Sequence, residues 1–322
     1  MSKRVFIVGG TGFLGYHAAL EFLKAGWDVV AAGLPPAPPT GILPPEVQIQ
    51  LQDYTRTPDA ELLYQLHGVT ALVFAAGLDD RSTPAKPAFP KFRQANVLAP
   101  QRLFQLAAQA GVKRAVVLGS YFAYFNRQWP ELHLADHHPY IRSRVEQEKA
   151  LTSIPGLETC ILELPYIFGR MPVPGWKPLW TPLVKYIRSS RIVFYMKGGT
   201  ACISARTVGR AILGAAENGR SGESYPIGQE NLSWAQMLSR LAAADGRQLT
   251  VKTLPTGLIR LALRVVHVAQ TLQGREGGLD LRHFAPLQTA NTFVDPQPSQ
   301  TALGFVPSPL DEAFGETVSA CS

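Results

Sequence analysis

Two hydrophobic periodicities alternate along the first half of the chain. RVFIV (4–8), DVVAA (28–32), VQIQL (47–51), ALVFA (71–75), RAVVL (114–118) and ETCILEL (158–164) are short, nearly continuous β-rich runs. Between several of them lie stretches such as FLGYHAALEFLKAG (13–26) and NVLAPQRLFQLAAQAG (96–111), whose apolar residues recur every three or four positions. Strands without a polar face need cover on both sides, and the intervening helices supply it. The pattern predicts an α/β fold built on a doubly wound parallel sheet. GLPPAPPTGILPPE (33–46) reads as a proline-rich loop inside that unit, because the alternation resumes after it.

The pattern changes at PYIFGRMPVPGWKPLWTP (165–182), whose five prolines are expected to exclude regular structure. Looser helices and short strands follow. They predict a first domain over 1–170 and a smaller substrate domain over 171–322, with a stretch around 203–228 returning to the first. In TGLIRLALRVVHVAQTL (256–272), Arg260, Arg264, His267 and Thr271 form one polar stripe on an otherwise apolar helix. Such a helix is expected to bury its apolar arc against the substrate domain, with a membrane-surface helix as the sharper alternative.

VGGTGFLG (8–15) spaces Gly9, Gly12 and Gly15 three apart, after the first strand and at the opening of a helix. Gly9 permits a tight turn, Gly12 lets a pyrophosphate reach the backbone, and Gly15 allows close helix–strand packing. The free amides of the helix start then face the anion. This context makes the sheet a Rossmann-type dinucleotide site. A carboxylate usually ends the second strand to hold the ribose 2′-hydroxyl, yet that position is Gly33, with no arginine directly after it. NAD and NADP both remain open.

Composition narrows the setting. The net charge of +7, from 31 basic and 24 acidic residues, is spread without a basic run. It suits mild attraction for anionic ligands or a solvated surface, not a nucleic-acid arm. Cys160, Cys202 and Cys321 are scattered and odd in number, favouring a reducing compartment. The N-terminus enters a strand at once, without a secretion pattern, and Gly257 to Leu272 is too short and too charged to span a bilayer. A cytoplasmic location is the expectation. His133, Asp136 and His137 have spacings open to a metal, but no further ligand pattern supports one, so no metal is expected.

With these motifs in hand, the chain resembles the extended short-chain dehydrogenase/reductase superfamily, which includes NAD-dependent epimerases and dehydratases. The likeness covers nearly the whole chain, although Val8 stands where that family usually has threonine. Asp53 in LQDYT matches the aspartate that contacts adenine, and FAAG (74–77) matches the strand end beside the cofactor. NVLAPQRLFQLAAQAGVKRAVVLGS (96–120) matches the asparagine-led helix and following strand, and LPYIFGR (164–170) the proline turn near nicotinamide. ISARTVGRAILGAAE (203–217) and TALGFVPSPLDEAF (301–314) resemble later family segments. The resemblance implies cofactor contacts from Gly9, Thr11, Gly12, Phe13, Leu14 and Gly15, from Asp53 and Tyr54, and from Ala75, Ala76, Gly77 and Asn96. It extends them to Tyr140, Arg144, Pro165 and Ile167.

The family's catalytic serine aligns with Ser120, and its Tyr-x-x-x-Lys pair with Tyr140 and Arg144. Of ten tyrosines only Tyr140 and Tyr166 have a cation four residues on, and Tyr166 lies in the proline turn. A phenol, with its pKa of ~10, is a poor acid or base until a cation stabilises its phenolate. Positions i and i+4 of a helix share a face, which lets the cation lie beside the ring. Arginine keeps the charge but not the compact, relaying ammonium of lysine.

The expected activity is hydride transfer at an alcohol or ketone carbon with NAD or NADP, on a sugar nucleotide or similar substrate. A reductase of a lipophilic, steroid- or flavonoid-like carbonyl is one alternative, and a non-catalytic NAD(P)-sensing protein another. Tyr121-Phe122-Ala123 stands where sugar-nucleotide 4,6-dehydratases carry an acid, which disfavours that reaction. Tyr121, Phe122, Trp176 and Trp180 are candidates to line the substrate pocket. The expected partner is a small molecule, with a homodimer as an allowed assembly, no nucleic acid and no integral membrane segment.

Overall fold

The structure, a computed structural model, describes residues 3–321. Its strands in chain order are β1 (Arg4–Val8), β2 (Asp28–Gly33), β3 (Gln48–Leu51), β4 (Ala71–Phe74), β5 (Arg114–Ser120), β6 (Glu158–Leu164) and β7 (Tyr166–Phe168). Then follow β8 (Ile192–Tyr195), β9 (Gly199–Ser204), β10 (Ser224–Pro226), β11 (Glu230–Ser233), β12 (Thr250–Thr253) and β13 (Asn291–Thr292). Seven of them form one sheet in the order β10-β6-β5-β4-β1-β2-β3, with every pair parallel. The order reverses at β1, so the chain leaves β1 and β4 in opposite directions. A crevice opens at their carboxyl ends, where such sheets hold ligands.

The run RVFIV shows why the strand is buried on both sides. Val5 and Ile7 enter one core with Ala18 and Phe22 of the Phe13–Lys24 helix. Phe6 and Val8 enter the opposite core with Leu62, Leu103 and Phe104. Two-residue periodicity thus feeds both layers. The helix Ala205–Asn218 joins the first layer against Phe13–Lys24, where a Cβ on Gly209 would lie 2.6 Å from the His17 carbonyl oxygen. The glycine allows that approach. The chain then enters β10 at the edge of the main sheet.

A second sheet has the order β11-β9-β13, with β7 also paired to β9, and β8 pairs with β12 separately. Phe168, Trp234, Met237 and Phe314 fill the core beside it. The Pro-rich stretch therefore does contain regular structure. Between Pro165 and Pro172 no proline intervenes, and Tyr166–Phe168 extend as β7. The expected helix over 96–111 also has a different start: a wide π turn, Gln94–Leu98, runs into the α-helix Ala99–Gln109.

The largest departure is the helix Thr256–Leu272. It buries no residue fully, and its apolar arc points outward instead of into the protein. After it, the chain folds back across the crevice. Lys86 N–H donates to the Gly274 carbonyl (3.0 Å), Glu276 N–H to Pro84 (3.0 Å) and Gly278 N–H to Ser82 (3.1 Å). Residues 274–288 thereby roof the site. Among the described residues no helix is long and apolar enough to cross a membrane.

Candidate active site

The glycine-rich turn is held by Gly9 and Gly10 N–H groups donating to the Ala32 carbonyl, both at 2.9 Å. Gly9 has a φ of +81°, and a Cβ there would lie 2.5 Å from the Ala75 carbonyl oxygen. Gly12 caps the Phe13–Lys24 helix without a side chain, so no cap competes for the first-turn amides. This is the geometry of an anion site at a helix start. At the end of β2, a Cβ on Gly33 would overlap the Thr11 hydroxyl. Thr11 therefore occupies the space of the missing acidic side chain.

Asp53 does not present a free carboxylate. Its Oδ1 accepts from Thr55 N–H (3.0 Å) and the Thr55 hydroxyl (2.6 Å), while Oδ2 lies 3.5 Å from Arg56 Nε. Tyr54 packs edge-on against Phe74. Asn96 is held inside the protein by three hydrogen bonds. It is fully buried; Oδ1 accepts from Leu78 N–H (2.8 Å) and Nδ2 donates to Leu78 O (3.1 Å) and Ser143 Oγ (3.0 Å). The π turn carries it to this place, where it ties the loop after β4 to the tyrosine helix.

Tyr140 sits in the first turn of the helix Pro139–Thr152, whose entry is fixed by Pro139 and by Tyr140 N–H donating to Gly278 O (2.9 Å). Phe92 and Phe122 contact its ring edge-on, and the residue is 6% exposed. No other side chain among the described residues takes its hydroxyl, and the residue lines the crevice. Arg144 lies one turn on, with Cζ 5.2 Å from the tyrosine ring centre. Its Nη1 donates to Leu118 O (3.2 Å) and Gln147 Oε1 (2.8 Å), and its buried Nε has no partner among the described residues. Nη2 comes within 3.7 Å of the Cβ position of Gly77, at the end of the crevice nearest the glycine turn. Ser120 caps the helix Tyr121–Gln128 by accepting from Phe122 N–H (3.3 Å). Because the oxygen accepts there, the serine proton is free to be donated into the crevice.

The residues fit a nicotinamide dinucleotide: a bare helix start, a turn a Cβ would block, and a guanidinium with donor capacity left at the ribose end. Arg144→Ala should weaken NAD binding on the order of tenfold to a hundredfold, since charge-assisted hydrogen bonds to the ribose are lost. Arg144→Lys should stay within about threefold, because the charge still reaches the same edge. Calorimetric titration with NAD checks both.

The crevice widens into a cavity of about 700 Å³. Phe13, Leu14, Ala75, Ala76, Gly77, Pro165 and Ile167 line its inner end, and Ser120, Tyr140 and Arg144 its middle. Tyr121, Phe122 and Trp180 join them, whereas Trp176 does not; it packs against Phe13 with ring centres 5.0 Å apart. Tyr121 spends its hydroxyl on Thr200 (2.9 Å) and Thr292 (3.4 Å), and burial raises its pKa. The outer wall is formed by Asp80, Leu179, Leu279, Leu281, Phe284 and Gln288, none of which is a candidate site residue in the sequence motifs described above. Asp80 is walled in by protein yet open to the cavity, and desolvation raises its pKa despite the opposing pull of Arg81. The doublet in GLDDRST, just after FAAG, was the available signal for it. No local signal marks 279–288, which arrive from more than 130 residues beyond Tyr140. The His133–Asp136 pair is exposed, and His137 stacks on His283 at 3.7 Å; no metal-binding cluster is present among the described residues.

Behind Ser120 lies a buried acidic pair. Arg127 donates to Glu148 Oε2 (2.8 Å) and Glu163 Oε1 (2.6 Å), while the other oxygen of each acid takes no bond from a cation among the described residues. Burial and then the neighbouring Glu148 push Glu163 up to about 8, and burial raises Glu148 as well. One guanidinium serves both carboxyls. A raised acid contributes its stability below its ordinary value near 4.5 and loses it as pH rises through about 8. Burial holds the His17 and His138 imidazoles down near 4, which opposes this trend below about pH 6.5, so the native melting temperature should fall between about pH 6.5 and 8. Glu163→Gln keeps an acceptor for Arg127 and offers an amide donor to Glu148, so its melting curve should be flatter with pH. A parallel decline in both proteins contradicts the assignment.

Comparison with known proteins agrees with this geometry. The profile of the NAD dependent epimerase/dehydratase family matches residues 5–228. A Synechocystis sp. protein provisionally named a dihydroflavonol 4-reductase is 23% identical over 336 residues, covering 99% of this chain and 94% of its own. The crystal structure of gox2253 superposes with a TM-score of 0.78 at 17% identity, over 99% of this chain and 98% of that one. The UDP-glucuronic acid 4-epimerase from Bacillus cereus, solved with UDP-glucuronic acid and NAD, gives 0.68 at 15% identity over 99% and 98%. At these identities the solved structures speak for the fold.

Proposed function

The chain belongs to the NAD dependent epimerase/dehydratase family, and from that premise we propose that it oxidises or reduces an apolar, ring-bearing alcohol or ketone. It is an NAD-dependent enzyme of the oxidoreductase and epimerase kind. The observation that carries the substrate reading is the cation content of the cavity. Among the described residues only Arg81 and Arg144 are cations that line it. Arg81 is paired to Asp79 at 2.5 Å, and Arg144 lies beside the tyrosine, towards the glycine turn and away from the outer cavity. No free cation among the described residues faces the outer cavity to hold a diphosphate. Phe122, Trp180, Leu279, Leu281 and Phe284 instead offer aromatic and aliphatic surface.

In reduction, Tyr140 Oη gives its proton to the substrate carbonyl oxygen, and in oxidation it takes the hydroxyl proton back. Ser120 Oγ donates to the same oxygen and holds it in register. Arg144, with its guanidinium 5.2 Å from the ring centre, orients the ribose. The cofactor, when bound, would supply the hydride as NADH in reduction and accept it as NAD in oxidation. The roof over 274–288 and the aromatic wall exclude water, which strengthens these charge contacts.

The reading is tested by measuring binding of UDP-sugars and of a panel of aromatic ketones to the NAD-loaded protein. Ketones should bind, and Phe122→Ala should weaken them by at least about tenfold, as expected for a lost buried aromatic contact. Tight UDP-sugar binding with no ketone binding would overturn the apolar substrate and leave the family assignment standing.

A further inference from the structure

The helix Thr256–Leu272 presents its faces the wrong way round for a soluble packing helix. At about 100° per residue, Thr256, Ile259, Leu263, His267 and Gln270 share the inward side and are only half-buried. His267 approaches Asp280 at 3.9 Å, and Gln270 lines the outer cavity. The opposite side is uniformly apolar: Leu258, Leu261, Val265, Val266, Val268 and Leu272 are all exposed, Val265 at 63% and Leu272 at 84%. Tertiary packing does not explain a hydrophobic face turned to solvent. A contiguous patch of this kind marks an interaction site.

Charge and area together identify what covers it. From Gly246 to Arg275 the chain carries Arg247, Lys252, Arg260, Arg264 and Arg275, and no aspartate or glutamate. Arg260 and Arg264 lie along one border of the apolar arc, from which long side chains reach the headgroup level while their stems stay apolar. Phe194, 51% exposed on β8, is in register with Lys252 on the strand that leads into the helix. A helix of this length is about 25 Å long and about 10 Å across, so its face offers on the order of 250 Å². A stable protein pair buries about 800 Å² on each side. The face is too narrow for a self-sufficient dimer contact, and it suits insertion into an interface between headgroups and acyl chains.

We propose that the helix Thr256–Leu272 docks the enzyme onto an anionic lipid surface, lying in the interfacial plane with its apolar arc immersed and Arg260 and Arg264 at the phosphates. The helix spans the distance between lipid and site: its outer side is the docking face and its inner side carries Gln270 of the cavity wall. The cavity mouth thus opens close to the lipid boundary. Delivery of substrate from the membrane rests on the apolar substrate proposed above; the docking itself does not.

Flotation of the full chain with phosphatidylcholine vesicles, with and without about 30% phosphatidylglycerol, tests the docking without any substrate; the anionic fraction supplies the surface potential that attracts basic segments. The native protein should float with anionic vesicles and release at high salt. Arg260→Gln and Arg264→Gln should each lower partitioning about fivefold. Leu261→Glu with Val265→Glu should abolish it while NAD affinity and melting temperature stay native, because neither residue is buried. Failure of the native protein to float would overturn the proposal, as would undiminished flotation of the double glutamate variant. A native dimer in sedimentation that the glutamates dissociate, without vesicle binding, would overturn it too and assign the face to a second copy.

Discussion

Replacing Tyr140 by phenylalanine should lower turnover by about 10²- to 10⁴-fold, the usual worth of a positioned proton donor, with NAD affinity nearly unchanged. The split follows from the geometry. The ring is held by Phe92, Phe122 and the Arg144 guanidinium, all of which a phenylalanine ring keeps. The hydroxyl alone faces the cavity without a side-chain partner among the described residues, so its removal leaves no buried group unsatisfied and no packing defect. Steady-state kinetics with a ketone found in the binding panel, beside an NAD titration, separates the two quantities. Native turnover in Tyr140→Phe would remove the tyrosine from proton transfer. Loss of NAD affinity equal to the loss of rate would reduce it to a ribose anchor.

Gly12→Val should abolish measurable NAD binding, a loss of at least about a hundredfold, because backbone amides at the helix start are the pyrophosphate site. Gly12 has φ −91° and ψ 177°, which valine adopts without strain. A Cβ there would lie 3.2 Å from Gly9 O, a contact relieved by a shift of a few tenths of an ångström. The variant should therefore remain folded, with the side chain standing in the path of the phosphates. Gly15→Val is the contrasting control. Its Cβ would overlap the Gly9 carbonyl, where the helix meets the turn, so it should lose thermal stability as well. Circular dichroism melts and NAD calorimetry on both variants check the distinction. A folded Gly12→Val with native NAD affinity would place the cofactor elsewhere.

The parallel sheet was legible because each of its long strands is apolar on both faces, a signal that needs no distant partner. Ser120, Tyr140 and Arg144 were legible for a related reason: a strand end and an i, i+4 pair are local patterns. The outer cavity was not. Leu279 and Phe284 reach it through the Tyr140–Gly278 and Ser82–Gly278 backbone bonds, contacts without a periodic signature. The helix Thr256–Leu272 had the right periodicity, but a repeat of apolar residues defines one face without stating on which side the body of the protein lies. Asn96 shows a third kind of gap. Its position was found by likeness to a family, yet its work, joining Leu78 to Ser143, emerges only once the π turn is seen. Gly33 was read as a missing carboxylate, and its physical reason, the Thr11 hydroxyl in that space, lies 22 residues away in sequence.

The central claim is that Tyr140 and the dinucleotide crevice together carry a net hydride transfer on an apolar substrate. The most direct measurement is incubation of the native protein with deuterium-labelled reduced cofactor, labelled at the transferring position, and an aromatic ketone that binds the NAD-loaded form. Mass spectrometry of the product then locates the label. One deuterium is expected on the new carbinol carbon, formed in step with oxidised cofactor and lost in Tyr140→Phe. A product without deuterium, or unchanged ketone beside an epimerised UDP-sugar with no net cofactor turnover, would contradict it.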